Sequence, residues 1–232
     1  MKINRLYDYS KYERIEDEEG NRLYDTPNGP LPSVTTLLSA TADKTSLLEW
    51  KARVGEKKAE QIRDEATGLG TLMHEHLECV IQGIDRPRGS NLVRKLASNM
   101  ADQIIERGFP RLDEVWGFEE ALYYPGLYAG TTDLIGVFDG NPAILDYKTT
   151  NKMKTKDKIE DYFCQGAAYA LAHNEMFNTN IRQVVIFMVS RDLKYECFTV
   201  EGEEFDKYAE MLVARVDQYY QMVANGVEII KD

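Results

Sequence analysis

The hydrophobic period of this chain changes four times, and those changes limit the fold more than any single motif does. From about residue 33 to residue 107, apolar residues recur every three or four positions, the spacing of helices that bury one face. At Gly108 and Pro110 the helical run ends, and the spacing shortens to two: Val115–Tyr124, Ala129–Phe138 and Ala143–Lys148 read as consecutive strands, with hairpin chemistry at Asp139-Gly140-Asn141. Helical spacing returns over 159–173, strands follow at Gln183–Ser190 and Tyr195–Val200, and a long helix spans Glu203–Asn225. This order predicts one α/β domain with a helical N-terminal part. A length of 232 residues suits a single large core.

Within the helical part, Ser33 is a good N-cap for a helix carrying Leu37 and Leu38. Leu47, Leu48, Trp50 and Val54 continue at helical spacing over 45–54, and the charged stretch Glu56–Ala66 reads as an exposed helix. Gly68-Leu69-Gly70 either interrupts that helix or joins it to the next, which runs over 70–82 on Leu69, Leu72, Met73, Leu77, Val80 and Ile81. Residues 83–90 form a loop, and 91–107 a further amphipathic helix. The polar, Tyr-rich residues 1–30 fit two short strands or an arm. The expected division of one domain, 1–232, is an arm (1–31), a helical part (32–110) and an α/β core (111–232).

Composition removes several classes of function. The net charge of −11 argues against broad adhesion to nucleic acid or anionic membrane, but it leaves room for a locally basic channel. No apolar run reaches the ~20 residues that cross a bilayer, and the N-terminus has no apolar signal segment. The expected location is therefore intracellular, in the cytoplasm. Three scattered cysteines, Cys79, Cys164 and Cys197, make neither a disulfide framework nor a four-cysteine metal site, and each is expected to be a small buried hydrophobe.

The chemistry concentrates in Gly130-Thr131-Thr132-Asp133 and Leu145-Asp146-Tyr147-Lys148. Asp133 lies within one strand and Asp146 at the end of the next, after the apolar run Ala143-Ile144-Leu145. Alternation along a strand sends Asp146 and Lys148 to the same face. If the two strands pair, Asp133 approaches Asp146, and two such carboxylates repel unless a cation stands between them. Mg²⁺ or Mn²⁺ prefers oxygen ligands of this kind. Lys148 beside them would complete a hydrolytic site by orienting a water or offsetting developing negative charge.

Five elements in order extend this pair: Gly70-x-x-Met73-His74-Glu75, Glu119-Glu120-Ala121-Leu122, Gly130-x-x-Asp133, Asp146-Tyr147-Lys148 and Gln165-x-x-x-Tyr169. Together they resemble the PD-(D/E)XK nucleases of the RecB-exonuclease type. The opening Pro32-Ser33-Val34-Thr35-Thr36 and the helix Leu48-Glu49-Trp50-Lys51 are similar to the mitochondrial genome maintenance exonuclease and its phage counterparts. The resemblance covers about 32–220. It implies a restriction-endonuclease-like fold, a mixed central sheet flanked by helices, and metal-dependent hydrolysis of DNA phosphodiester bonds. It also implies Asp133, Asp146, His74 and the Tyr147 carbonyl as metal ligands, Lys148 as the motif lysine, and Gln165 and Tyr169 as residues that position DNA. No P-loop is present, so such a nuclease lacks its own motor.

Glu119 and Glu120 alternate faces on a strand, so only one can reach the site; the spacing to Leu122 and Tyr123 favours Glu119 as a further catalytic acid. His74-Glu75-His76-Leu77-Glu78 lacks the second histidine of a zinc-protease helix, though His74 and Glu78 share a face. Lys152, Lys154, Lys156 and Lys158 follow Lys148 with one acid among them and read as a DNA-phosphate loop. Lys51, Arg53, Lys57 and Lys58 offer a second basic patch. The expected activity is a DNA exonuclease on single-stranded ends, possessing no membrane contact and working beside recombination or replication proteins, in a bacterial host cytoplasm if phage-encoded. The alternatives are a duplex-end exonuclease of the recombination type and an inactive DNA-binding module.

Overall fold

The computed structural model describes residues 1–17, 20–87 and 89–227. The strands are β1 (Lys2–Ile3), β2 (Arg14–Glu16), β3 (Arg22–Thr26), β4 (Gly29–Pro32), β5 (Leu112–Tyr124), β6 (Tyr128–Phe138), β7 (Asn141–Thr150), β8 (Gln183–Ser190) and β9 (Tyr195–Glu201). The helices are α1 (Val34–Ala40), α2 (Thr45–Val54), α3 (Glu56–Gln82), α4 (Leu92–Arg107), α5 (Glu160–Phe177) and α6 (Gly202–Ala224). Among the described residues a six-stranded mixed sheet runs β1-β5-β6-β7-β8-β9. β5, β6 and β7 form the antiparallel meander, β8 returns parallel to β7 through α5, and β9 closes antiparallel on β8.

Helices cover both faces of the sheet. On one, α3 and α4 pack Met73, Leu77, Ile81, Met100 and Ile104 against Leu134, Leu145, Val185 and Phe187. On the other, α1, α5 and α6 meet Ile135, Ile144, Val184 and Ile186. All eight residues of β8 are buried, which explains why Gln183–Ser190 lacks the polar alternation of a one-faced strand. Each large side chain so buried contributes about 1.5–3 kcal/mol over leaving it in water.

The expected elements stand with adjusted ends, and several details differ. Ser33 caps α1 by accepting the Thr36 N–H. α3 is one continuous helix of 27 residues that takes Gly68 and Gly70 in its stride, so the glycine pair joins the two segments. Helical backbone needs no side chain at these positions, and the core contacts of Leu69 and Met73 hold the register. None of the side chains of α2 is buried, and Leu48 is 60% exposed, despite the helical spacing of its apolar residues. Only Cys164 is buried; Cys79 and Cys197 are half-buried.

The described residues of 1–32 hold four strands. β2, β3 and β4 form a small antiparallel sheet, while β1 pairs parallel with β5 at the edge of the main sheet. Between them Tyr7 and Tyr9 pack on His173 and Phe177 of α5. The Tyr9 hydroxyl lies 3.0 Å from His173 Nε2, and Thr179 Oγ1 lies 2.8 Å from Nδ1. Burial depresses the His173 pKa to about 4.

Two stability measurements follow from this packing. Gly166 of α5 faces β8, where an added methyl would overlap Val184 Cγ1; nothing lies within 4 Å of the corresponding position at Gly68. Thermal denaturation is expected to show Gly68→Ala stabilised by about 0.5–1 kcal/mol. Gly166→Ala should be destabilised by about 1–2 kcal/mol, overpacking outweighing helix propensity. The second concerns pH. The unfolded chain protonates His173 near its ordinary value of 6.5, whereas the folded chain refuses the proton until about pH 4. Stability contributed by the neutral ring is therefore lost as pH falls through that window. Urea denaturation at pH 7 and pH 4.5 should show a drop about 2 kcal/mol larger in the wild type than in His173→Gln.

Candidate active site

The site begins where two strands part. β6 and β7 pair from Phe138–Asn141 as far as Leu134–Leu145. One step further, Asp133 would stand opposite Asp146. There the Asp133 carboxylate, through Oδ2, accepts the backbone N–H of Tyr147 at 2.8 Å. β7 meanwhile keeps its parallel pairing with β8 through Thr150. The side chain thus takes over from the β6 backbone, and the strands open around two acids.

Asp146 is 3% exposed, and Lys148 Nζ lies 2.7 Å from its Oδ2. Burial drives the Asp146 pKa upward, Lys148 opposes that shift, and Asp133 reinforces it. Burial also works against the charge on Lys148, but the Asp146 and Asp133 carboxylates outweigh it and hold the ammonium above its ordinary pKa. Lys148 Nζ donates to Gln165 Oε1 (3.3 Å), and Gln165 Nε2 donates to the Tyr169 hydroxyl (3.2 Å). Gln165 and Tyr169 are one turn apart on α5, on the face that looks toward the strands. Gly130 makes room for this arrangement, because a Cβ there would stand 2.7 Å from the Tyr169 ring.

α3 brings His74 to the opposite side of the opening. Its Nε2 donates to the Tyr147 carbonyl at 3.0 Å, and its Nδ1 lies 3.7 Å from Asp133 Oδ1. Glu119 joins them from β5: ligand atoms of His74, Glu119 and Asp133 all fall within 4.8 Å of one another. Glu119 adopts φ +50°, a left-handed conformation uncommon for a side-chain-bearing residue. The residue as a whole is exposed, but its carboxyl end lies in partly dehydrated space. That burial, followed by the charges of Asp133 and Glu78, pushes its pKa up to about 7. Glu120 turns the other way, toward Gly117 and Tyr9.

These groups fit a hard divalent cation. Carboxylate oxygens, a backbone carbonyl and one imidazole nitrogen are a donor set for Mg²⁺ or Mn²⁺. Burial is the larger cause of the raised Glu119 pKa, and the charges of Asp133 and Glu78 add repulsion that a positive ion would relieve. Glu78 also has a raised pKa, through burial.

The lysine loop divides. Lys156 donates to the Thr199 carbonyl and pairs with Glu204, so its charge is already matched. Lys154 Nζ reaches the Tyr162 hydroxyl at 3.4 Å, while Lys152 and Lys158 are exposed. Two residues near the site carry no sequence signal. Tyr162 sets its ring 4.9 Å from Lys148 Nζ. Arg14 of β2 donates to Thr131 Oγ1 and the Tyr24 hydroxyl, and its charge counters that of Glu119. Arg14 and Thr131 are 117 positions apart, beyond any local pattern.

Metal binding can be measured without turnover. Mn²⁺ at about one hundred times its Kd should stabilise the fold by about 2.7 kcal/mol in a thermal-shift titration. Asp133→Asn and Glu119→Gln are each expected to remove most of that gain, whereas Glu120→Gln, on the other face, should keep it. Equal shifts in all three variants would place the ion elsewhere.

Comparison with solved structures finds a candidate exonuclease from Eubacterium rectale at a TM-score of 0.52 and 13% identity, covering 71% of this chain and 69% of that one. An alkaline exonuclease from Laribacter hongkongensis aligns over 85% of this chain and 95% of its own, at 13% identity and a TM-score of 0.35. No protein-family model matches the sequence, and no curated protein matches it. The first likeness is one of fold: a mixed central sheet flanked by helices, of the restriction-endonuclease-like kind.

Proposed function

We propose that this chain is a divalent-metal-dependent DNA exonuclease that hydrolyses phosphodiester bonds from free single-stranded ends. The observation that carries the reading is the opening between β6 and β7, where Asp133, Asp146 and Lys148 converge with His74. The fold likeness to a candidate exonuclease supports it. The ordered motifs support placement near the RecB-type exonucleases, with recombination or replication proteins as partners in a bacterial or phage-infected cytoplasm. No helix among the described residues is long and apolar enough to cross a membrane.

Asp133, Asp146, Glu119, His74 and the Tyr147 carbonyl would hold the cation, which when bound polarises the phosphodiester and lowers the pKa of an adjacent water. Lys148 is kept charged by the two aspartates. Its ammonium orients the attacking water and offsets the negative charge that develops on the phosphoryl oxygens. Gln165, fixed by Tyr169, holds the direction of that ammonium. Attack at phosphorus then breaks the bond to the leaving sugar oxygen.

Digestion of 5′- and 3′-labelled linear oligodeoxynucleotides tests the reading, with circular single strands and hairpin duplexes as competitors. Linear single strands should be degraded with Mg²⁺ or Mn²⁺ and spared by chelator, and circles should resist. Asp146→Asn and Lys148→Ala are expected to lower kcat/KM by about 10²–10⁴-fold. Full cleavage by Lys148→Ala would remove the proposal.

A further inference from the structure

A cleft of about 470 Å³ lies beyond the C-terminal side of Lys148. Its floor is the end of β7 (Thr149, Thr150), its apolar wall is Leu69 of α3, and its rim carries Lys152, Lys154 and Arg191. No acid lines it, in a chain whose net charge is −11. The volume is that of a small-molecule pocket, enough for a piece of one strand.

The cleft is braced rather than loose. The Arg191 N–H donates to the Thr150 carbonyl at 3.0 Å, tying the β8–β9 turn to the end of β7. Thr150 Oγ1 donates to the Lys152 carbonyl at 2.8 Å. The adjacent acid Asp192 is held by Lys194 Nζ at 2.9 Å and by Ser190, so it does not neutralise Arg191. Among the described residues the Arg191 guanidinium has no hydrogen-bond or ion-pair partner.

Continuity with the site is direct. The ring of Tyr162 lies 4.9 Å from Lys148 Nζ and 5.4 Å from Lys154 Nζ, so one aromatic side chain supports a cation at the site and a cation in the cleft. Along β7, Thr150 is two residues past Lys148, about 7 Å at strand rise, a separation on the scale of one nucleotide step. Thr149 also faces α3, its Oγ1 lying 3.7 Å from the position a Gly70 Cβ would take. His74, on the same helix, stands one turn further on.

We propose that this cleft binds the sugar-phosphate backbone of a single strand next to the scissile bond, with Arg191 as a phosphate-binding side chain. The inference rests on the nuclease reading of the site and adds to it the path of the substrate strand. An arginine suits the role because its planar fork can grip two phosphate oxygens at once. A contact of this kind acts in binding and leaves the chemical step alone.

The test compares wild type, Arg191→Ala, Arg191→Lys and Lys207→Ala, the last a charge removed from α6. Fluorescence anisotropy of a labelled single-stranded oligodeoxynucleotide is read in chelator over a range of salt, and steady-state cleavage is read in Mn²⁺. Arg191→Ala should weaken binding about five- to tenfold and flatten the salt slope by about one phosphate contact. It should raise KM by a similar factor and leave kcat within about twofold. Arg191→Lys should recover the slope, and Lys207→Ala should match wild type. Cleavage by wild type with Arg191→Ala unchanged in KM and salt slope overturns the cleft assignment and leaves the nuclease reading standing. Arg191-dependent binding without metal-dependent cleavage by wild type overturns the nuclease reading and leaves the cleft as a strand-binding site.

Discussion

The hydrogen bond from the Tyr147 N–H to the Asp133 carboxylate determines where every other group of the site can stand. A backbone donor leaving a strand ladder needs another acceptor, because an unpaired buried N–H costs about 1–3 kcal/mol. A side-chain acceptor lets the β6 backbone diverge while β7 stays paired to β8. The gap so made is bounded by a rigid sheet on one side and two helices on the others. The Tyr147 carbonyl is thereby directed to His74, while Asp146 and Lys148 look across to α5.

Around that gap, burial and charge pull against each other. Burial favours neutral Asp146 and Glu119, and the same closeness keeps Lys148 charged. One ammonium among several carboxylates leaves an excess of negative charge in partly dehydrated space, which Coulomb repulsion makes costly. Glu119 adds a left-handed backbone to the same region. A packed sheet and two helical layers hold these groups in an arrangement that they would not choose alone.

The sequence carried much of this, through local patterns. Asp146 and Lys148 were legible because a strand repeats every two residues, and His74 and Glu78 because a helix repeats every turn. The change of period located the meander, α5 and the β8–β9 pair. What depends on distant contacts was not legible. Arg14, Tyr162 and Arg191 reach their places through tertiary packing. The choice of Glu119 over Glu120 was favoured by strand spacing, but the positive φ that accompanies it was not encoded there. The apolar residues of α2 reach no more than half-burial despite their spacing, and the charge of Lys156 was matched by Glu204, 48 positions away. β1 escaped notice because two residues show no period at all.

α3 has one further consequence. Its second half is clamped by Leu69, Met73, Leu77 and Ile81, whereas its first half, from Glu56 to Thr67, buries only Ala59. The clamp, not the helix as a whole, sets the rotation that aims His74. Substitution or remodelling along the outer three turns can therefore proceed without touching the imidazole's aim, so one continuous rod joins a stretch free to diversify to a stretch that chemistry holds fixed.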